Sequence, residues 1–238
     1  MTTRLTMTAV LGLCGLLLCT GCYNPAVEKF HSRKAMDAGD YATAEQKLVV
    51  VVEHDPSDWE GHYLLGLAYL GQNRPVEAQS ELEQALAVKD RSQTQTPKIL
   101  DALADALHQQ KSYDQLYAFL DAQIDRYEGW EDYARKARFL VKANDMDGAS
   151  LAYAQAALFS RNADDDIYIE MAEFYEGLGD YDKAIQCLKW AYYINDQRPS
   201  LPNRFRKLGV VPGPTLKEEP PQPEYDGNTL KLPKLFKD

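Results

Sequence analysis

A short sequence that occurs twice restricts this chain to a small group of folds. The stretch Gly39–Ala44 (GDYATA) returns at Gly179–Ala184 (GDYDKA), 140 positions further along. This separation is about four periods of 34 residues with a few residues to spare, and self-similarity near 34 residues is typical of stacked helical repeats. Such arrays build extended binding surfaces rather than one enclosed reaction pocket.

Five frames of about 34 residues can be laid over residues 25–198. Each contains two stretches with apolar residues at intervals of three and four, which predicts a pair of amphipathic helices. Small residues at frame positions 8 and 20 allow the two helices to approach closely, and a large residue at position 24 fills the space beside them. Position 15 suits the left-handed turn that ends a helix, because Gly39, Asn73, Asn144 and Gly179 stand there. No stretch sustains the alternation of a β-strand, so an all-α chain is predicted.

This pattern resembles the tetratricopeptide repeat (TPR) family. The second frame carries the resemblance most fully, at Trp59, Leu65, Gly66, Tyr69, Ala78, Leu82 and Ala85. The third frame departs from it, since Leu116 stands where alanine is usual. The resemblance implies a right-handed superhelix (α-solenoid) of about five helix–turn–helix repeats over 22–198, near 25–58, 59–92, 97–129, 130–164 and 165–198. Residues 199–208 are predicted to form a short capping helix, and the alternative to the array is a helical bundle with coincidental spacing.

The first 21 residues have the layout of an export signal. Arg4 precedes a mainly apolar run over 5–18, which is too short for a comfortable membrane span. The tripeptide at 20–22 resembles a bacterial lipobox, in which the cysteine is acylated, although Cys19 holds the place usual for leucine. We therefore expect residues 1–21 to be a lipoprotein signal peptide and Cys22 to be lipidated. The alternative is an uncleaved signal anchor with Cys22 as an ordinary thiol.

Lipoprotein character implies a bacterial cell envelope, with the outer membrane, facing the periplasm, as the expected location. The chain has 26 basic and 36 acidic residues and a formal net charge of −10. This acidity argues against nucleic-acid partners, whose phosphates require a basic surface. After cleavage and lipidation Cys187 is the remaining thiol, so no intramolecular disulfide is expected and Cys187 is predicted to be a small buried residue.

The C-terminal segment differs in composition from the repeats. Eight of the twelve prolines follow residue 198, so we expect residues 209–238 to be an extended, largely disordered Pro-rich tail. Its last stretch, 230–236, alternates apolar and basic residues. This stretch is either a docking peptide or part of a solubilising tail.

No recognised catalytic or metal-binding pattern is present in the sequence. The four histidines, at 31, 54, 62 and 108, lack the spacing of a zinc site. The acidic run Asp164–Asp166 precedes a predicted helix, where carboxylates interact favourably with the helix dipole. We expect no enzyme activity, no cofactor, no metal and no small-molecule substrate.

The candidate binding site is therefore the concave groove that the TPR resemblance places along the first helix of each repeat. Its predicted partner-binding residues are Tyr63, Asp101, Asp105, Arg138, Lys142 and Glu173. Mixed charge around an aromatic residue suits an extended peptide or a helix with a basic centre. The alternative is that these side chains form an ordinary solvated face.

These features predict a lipid-anchored envelope adaptor or assembly scaffold that binds other proteins through its groove. Assembly of an outer-membrane complex or of a pilus is the kind of process expected. The alternative is a periplasmic, chaperone-like carrier of envelope proteins. An enzyme that uses the groove carboxylates is the third and least favoured class.

Overall fold

The computed structural model describes residues 23–88, 96–127, 129–160 and 164–222, together with the backbone of 224–226 and 229–231. The predicted signal peptide and Cys22 lie outside the described residues. The described chain divides into two compact units, residues 1–90 (unit 1) and 91–238 (unit 2). None of its helices has the length and apolar character that a membrane span requires.

The predicted all-α array is confirmed. The helices of unit 1 are α1 (Pro25–Asp37), α2 (Tyr41–His54), α3 (Trp59–Gly71) and α4 (Pro75–Val88). Those of unit 2 are α5 (Thr96–Gln109), α6 (Tyr113–Tyr127), α7 (Trp130–Lys142), α8 (Met146–Ser160), α9 (Asp166–Leu178), α10 (Tyr181–Ile194) and α11 (Leu201–Lys207). Each frame laid over the sequence contains one pair of these helices.

The small residues at frame positions 8 and 20 lie where the two helices of a repeat meet. Ala44, Ala78, Ala149 and Ala184, at position 20, are all fully buried. In the second repeat a Cβ added to Gly66 would lie 2.6 Å from Cγ of Leu82. Because carbon atoms pack best at about 3.5–4.0 Å, glycine at this position sets the distance between α3 and α4.

Within the repeats, the left-handed turns occur where the sequence predicts them, with one addition. Gly39, Asn73, Asn144 and Gly179 have φ values of 77°, 58°, 63° and 77°. Lys111 occupies the equivalent position of the third repeat with φ 57°. This turn was not predicted, because lysine has no preference for the left-handed region. The helix pair of the third repeat evidently imposes the same turn on an unfavourable residue.

The last repeat is covered by α11, and the chain that follows makes further contacts with it. Leu201 and Phe205 of α11 are fully buried. Beyond α11, Val210 and Leu216 pack against the same core, and Pro220 is buried. A 3₁₀ turn spans Pro214–Leu216, and strands β1 (Glu224–Asp226) and β2 (Thr229–Lys231) pair in antiparallel fashion.

These contacts involve the first part of the segment predicted to be an extended, largely disordered tail. Ion pairs join Lys217 to Asp196 at 2.6 Å and Lys189 to Glu218 at 3.4 Å, in addition to the apolar contacts of Val210. The high proline content predicted an extended segment that could not continue as a helix. An extended chain can still pack, and Val210 and Leu216 bring its first part into contact with the core of the last repeat.

Candidate partner-binding surfaces

The first surface is a row of charged side chains on alternate helices of unit 2, here called the charged row. Its members come from helices that hold equivalent places in successive repeats. They are Asp101 and Asp105 (α5), Arg138 and Lys142 (α7), Glu170, Glu173 and Glu176 (α9), and Arg204 (α11). All the groove residues predicted for unit 2 belong to this row.

Residues of the charged row pair with one another across successive repeats. Arg138 lies 3.1 Å from Asp101 on one side and 3.1 Å from Glu170 on the other. Lys142 pairs with Asp105, and Arg204 pairs with Glu173 at 3.0 Å and also with Glu176. Since one repeat is about 34 residues, partners separated by roughly that distance in sequence occupy equivalent helices of adjacent repeats.

The pairing alters the charge that this surface presents. Burial lowers the pKa of the Arg138 guanidinium, but the charges of Glu170 and Asp101 outweigh that effect and leave the pKa above its ordinary value. Asp105 and Lys142 remain about two-fifths exposed, and Glu173 is 65% exposed. A ligand that used these groups would have to compete with existing ion pairs. Their role in partner binding therefore stays a prediction.

The most buried charge of this region was not among the predicted residues. Arg135 is only 2% exposed, and its guanidinium pairs with Asp132 and, at 2.6 Å, with Asp101. Asp132 is also buried. The separation of three residues between Asp132 and Arg135 places them on one face of α7, which was a usable signal. Asp101 therefore supports the packing of α5 on α7 as well as contributing to the charged row.

The second surface is a cleft in unit 1, here called the apolar cleft. It has a volume of about 540 Å³ and is formed by the inner sides of α1 and α3 with the start of α2. Its lining residues are Arg33, Met36, Asp37, Tyr41, Leu64, Leu67 and Gly71. Apolar side chains thus form its floor, with one cation and one carboxylate beside them.

Contacts between helices position the walls of this cleft. The ring of Tyr41 lies against Gly71, where an added Cβ would be only 2.3 Å from the ring. Arg33 pairs with Glu60, and Lys29 pairs with Asp58 at 2.8 Å and with Glu60 at 2.9 Å. These ion pairs join the first turn of α3 to α1 and fix the side of the cleft.

Tyr63, the groove residue predicted for unit 1, does not line this cleft. Leu67, one helical turn further along α3, does line the cleft. Tyr63 instead packs against the core formed by Ala44, Leu48 and neighbouring residues, and it is not among the lining residues. The partner-binding role predicted for Tyr63 is not tested by this arrangement.

Other candidate groups are accounted for by local structure. Carboxylate oxygens of Asp164, Asp165 and Asp166 lie within 4.8 Å of one another, and Arg198 pairs with Asp165 at 2.9 Å and with Asp166 at 2.6 Å. The positive charge of Arg198 therefore offsets part of the negative charge of this acidic cluster. Cys187 is fully buried, and burial raises the pKa of its thiol well above its usual range.

Two profiles described as tetratricopeptide repeat match the chain, one over residues 35–96 and the other over 165–198. No curated protein matches the sequence. Among solved structures, a thermophilic TPR protein from Thermus thermophilus superposes with a TM-score of 0.52 at 16% identity, covering 78% of this chain and 98% of that one.

Two further structures are similar at lower TM-scores. The pilF protein of Pseudomonas aeruginosa has a TM-score of 0.48 at 18% identity, and the match covers 81% of this chain and 94% of the pilF chain. MamA (41-end) from Desulfovibrio magneticus RS-1 has a TM-score of 0.46 at 13% identity, and the match covers 74% of this chain and 97% of the MamA chain. At such identities the likeness concerns the fold alone, and the comparison rests on the T. thermophilus protein. Residues 35–96 and 165–198 are therefore tetratricopeptide repeats, and the all-α fold of this chain is that of a TPR solenoid, a scaffold suited to protein–protein interaction.

Proposed function

We propose that this protein is a lipid-anchored adaptor that holds a partner protein through the apolar cleft of its first two repeats. The observation that carries the proposal is the cleft itself, open to solvent and floored by Met36, Leu64 and Leu67. An open apolar surface with few polar groups is the usual form of a site that binds another molecule.

The chemistry of the lining indicates the kind of segment that fits. Met36 is a flexible apolar side chain that adapts to different ligands, and Leu67 is partly buried beside it. Asp37 and Arg33 stand at the cleft with opposite charges. We infer that an amphipathic helix or extended peptide places one or two apolar side chains on the floor, with a basic group directed at Asp37.

The charged row is the less favoured site for the main contact. Arg138, Lys142 and Arg204 already have carboxylate partners in unit 2. A ligand there would gain little from replacing one ion pair by another, since exposed pairs contribute about 0–1 kcal/mol. The exposed carboxylate of Glu173 is suited to adding selectivity for basic segments.

The anchor is proposed from the sequence of residues 1–22. An apolar run followed by a lipobox-like tripeptide supports acylation of Cys22, and multiple acyl chains hold a protein firmly on a bilayer. An outer-membrane location facing the periplasm belongs to the same proposal. Cys22→Ser should abolish labelling of the protein by a radioactive or clickable fatty acid, whereas persistent labelling would refute the anchor at this position.

Photocrosslinking tests the cleft directly. A benzoylphenylalanine residue placed at Leu67 in the full-length chain should capture one predominant protein in cells, to be identified by mass spectrometry. The same group at Val76, which is 64% exposed on α4, is the matched control and should not capture it. Equal capture at both positions would argue against the cleft. Capture of many proteins at Leu67 would instead support a chaperone-like carrier.

A further inference from the structure

The outward face of α1 exposes apolar side chains that the repeat packing does not use. Ser32 is buried and Lys29, Ala35 and Met36 are partly buried on the inward side of the helix. On the opposite side Val27 is 43% exposed and Phe30 is 61% exposed. Lys34 follows on the same face at helical spacing and is exposed. Val27, Phe30 and Lys34 are here called the α1 outer face.

The first and last repeats of the described chain differ in whether a further helix covers them. The last repeat is covered by α11, which buries Leu201 and Phe205 completely. In the part of the chain that the structure describes, no element precedes α1 to cover Val27 and Phe30. A solenoid end normally carries a polar outer surface, so Val27 and Phe30 make this face suited to contact with an apolar surface.

The chain leading into α1 is held in place by contacts with unit 1. Tyr23 stacks on His54 of α2 with ring centroids 4.1 Å apart, and Asn24 caps the first turn of α1. At 1.5 Å per residue, Phe30 lies about 8 Å along the helix from its start at Pro25. The α1 outer face is therefore within about two helical turns of the residue that follows Cys22.

We propose that the α1 outer face rests on the lipid surface to which acylated Cys22 is attached, an inference that depends on the proposed anchor. Val27 and Phe30 would enter the boundary between headgroups and acyl chains, where aromatic and aliphatic side chains bind favourably. Lys34 would extend its amine towards lipid phosphates. The lipid would then orient unit 1 on the membrane instead of acting as a flexible tether.

The proposal favours lipid over a protein partner because of the chain's own connectivity. Cys22 is separated from Tyr23 by a single peptide bond, so acyl chains on Cys22 would place a bilayer beside α1 at all times. A protein partner would have to compete with that bilayer for Val27 and Phe30. Apolar residues next to a lipid attachment point are also the arrangement that strengthens binding beyond that of the acyl chains alone.

An environment-sensitive fluorophore at Phe30→Cys tests the inference. Cys187 is fully buried and Cys22 would be acylated, so the introduced thiol is the one available for labelling. The full-length lipidated protein is reconstituted into vesicles of phosphatidylethanolamine with a minor fraction of phosphatidylglycerol. Emission from position 30 should shift to shorter wavelength on reconstitution, and the same label at Val76→Cys should not shift. Val27→Cys should reproduce the shift seen at position 30.

The other outcomes separate this inference from the anchor. Unshifted emission from position 30 in protein whose Cys22 is shown to be acylated would overturn the inference and leave the anchor intact. Absence of acylation would overturn both. A shift that occurs without vesicles and grows with protein concentration would show that a second copy of the chain covers the face, and would also overturn the lipid assignment.

Discussion

The buried Arg135 allows one prediction to be worked out in detail. Its guanidinium meets two carboxylates, of which the Asp132 side chain is 7% exposed and that of Asp101 is 41% exposed. Asp132→Asn keeps the shape of the side chain and removes its charge, so Arg135 retains one charged partner, the partly exposed Asp101. Breaking a buried ion pair costs about 3–5 kcal/mol. Because Asp101 remains, we expect the free energy of unfolding of unit 2 to fall by about 2–4 kcal/mol.

Two further variants test whether the unpaired buried charge causes this loss of stability. Glu131 is exposed in the same first turn of α7, so Glu131→Gln removes only the interaction with the helix dipole, about 0.3–1 kcal/mol. Adding Arg135→Met to Asp132→Asn removes the buried cation and should restore much of the lost stability. Urea unfolding followed by circular dichroism gives the differences from the midpoint and slope. A loss for Asp132→Asn no larger than for Glu131→Gln, or a double variant less stable than the single, would refute the reasoning.

Three more predictions concern the repeats and the thiol. Gly66→Ala should destabilise unit 1 by about 1–3 kcal/mol through the collision with Leu82, and the loss should vanish when Leu82→Ala is already present, as a thermodynamic cycle would show. Lys111→Gly should raise the stability of unit 2 by up to about 1 kcal/mol, because glycine adopts the left-handed turn without strain; a lower melting temperature would contradict this. Cys187 should resist maleimide in the native protein and react fully in urea, since burial raises its pKa; rapid native labelling would show that α10 opens.

The regular parts of this fold could be predicted because single residues determine them. Gly39, Asn73, Asn144 and Gly179 end helices through backbone geometry that few residues tolerate. The alanines at position 20 follow from the close approach of two helices. Both signals are local, so they can be read from the sequence without knowing what surrounds them.

The features that were not predicted depend on contacts with residues that are distant in the sequence. Lys111 adopts the left-handed turn because its helix pair requires it, and Arg135 is buried because Asp132 and Asp101 happen to meet it. The same applies to Val210, whose apolar character gave no indication that it would pack on the last repeat.

The candidate site was predicted only in part for a related reason. Asp101, Asp105, Arg138, Lys142 and Glu173 could be placed on the first helices from the repeat spacing, while their partner-binding role stays a prediction. The spacing gave no information on their pairing, which neutralises much of the charge that made them attractive as ligand-binding groups. The apolar cleft depends on the ring of Tyr41 lying against Gly71, a contact between helices that the frame alone does not specify.

The central claim is that a partner protein binds in the apolar cleft, and co-purification tests it most directly. The full-length protein and two variants, Leu67→Glu and Val76→Glu, are extracted in mild detergent after crosslinking, and the bound proteins are quantified by mass spectrometry. Our account predicts one stoichiometric partner that is lost with Leu67→Glu and retained with Val76→Glu, while circular dichroism shows both variants folded. A partner retained equally by both variants, or the absence of any stoichiometric partner, would contradict it.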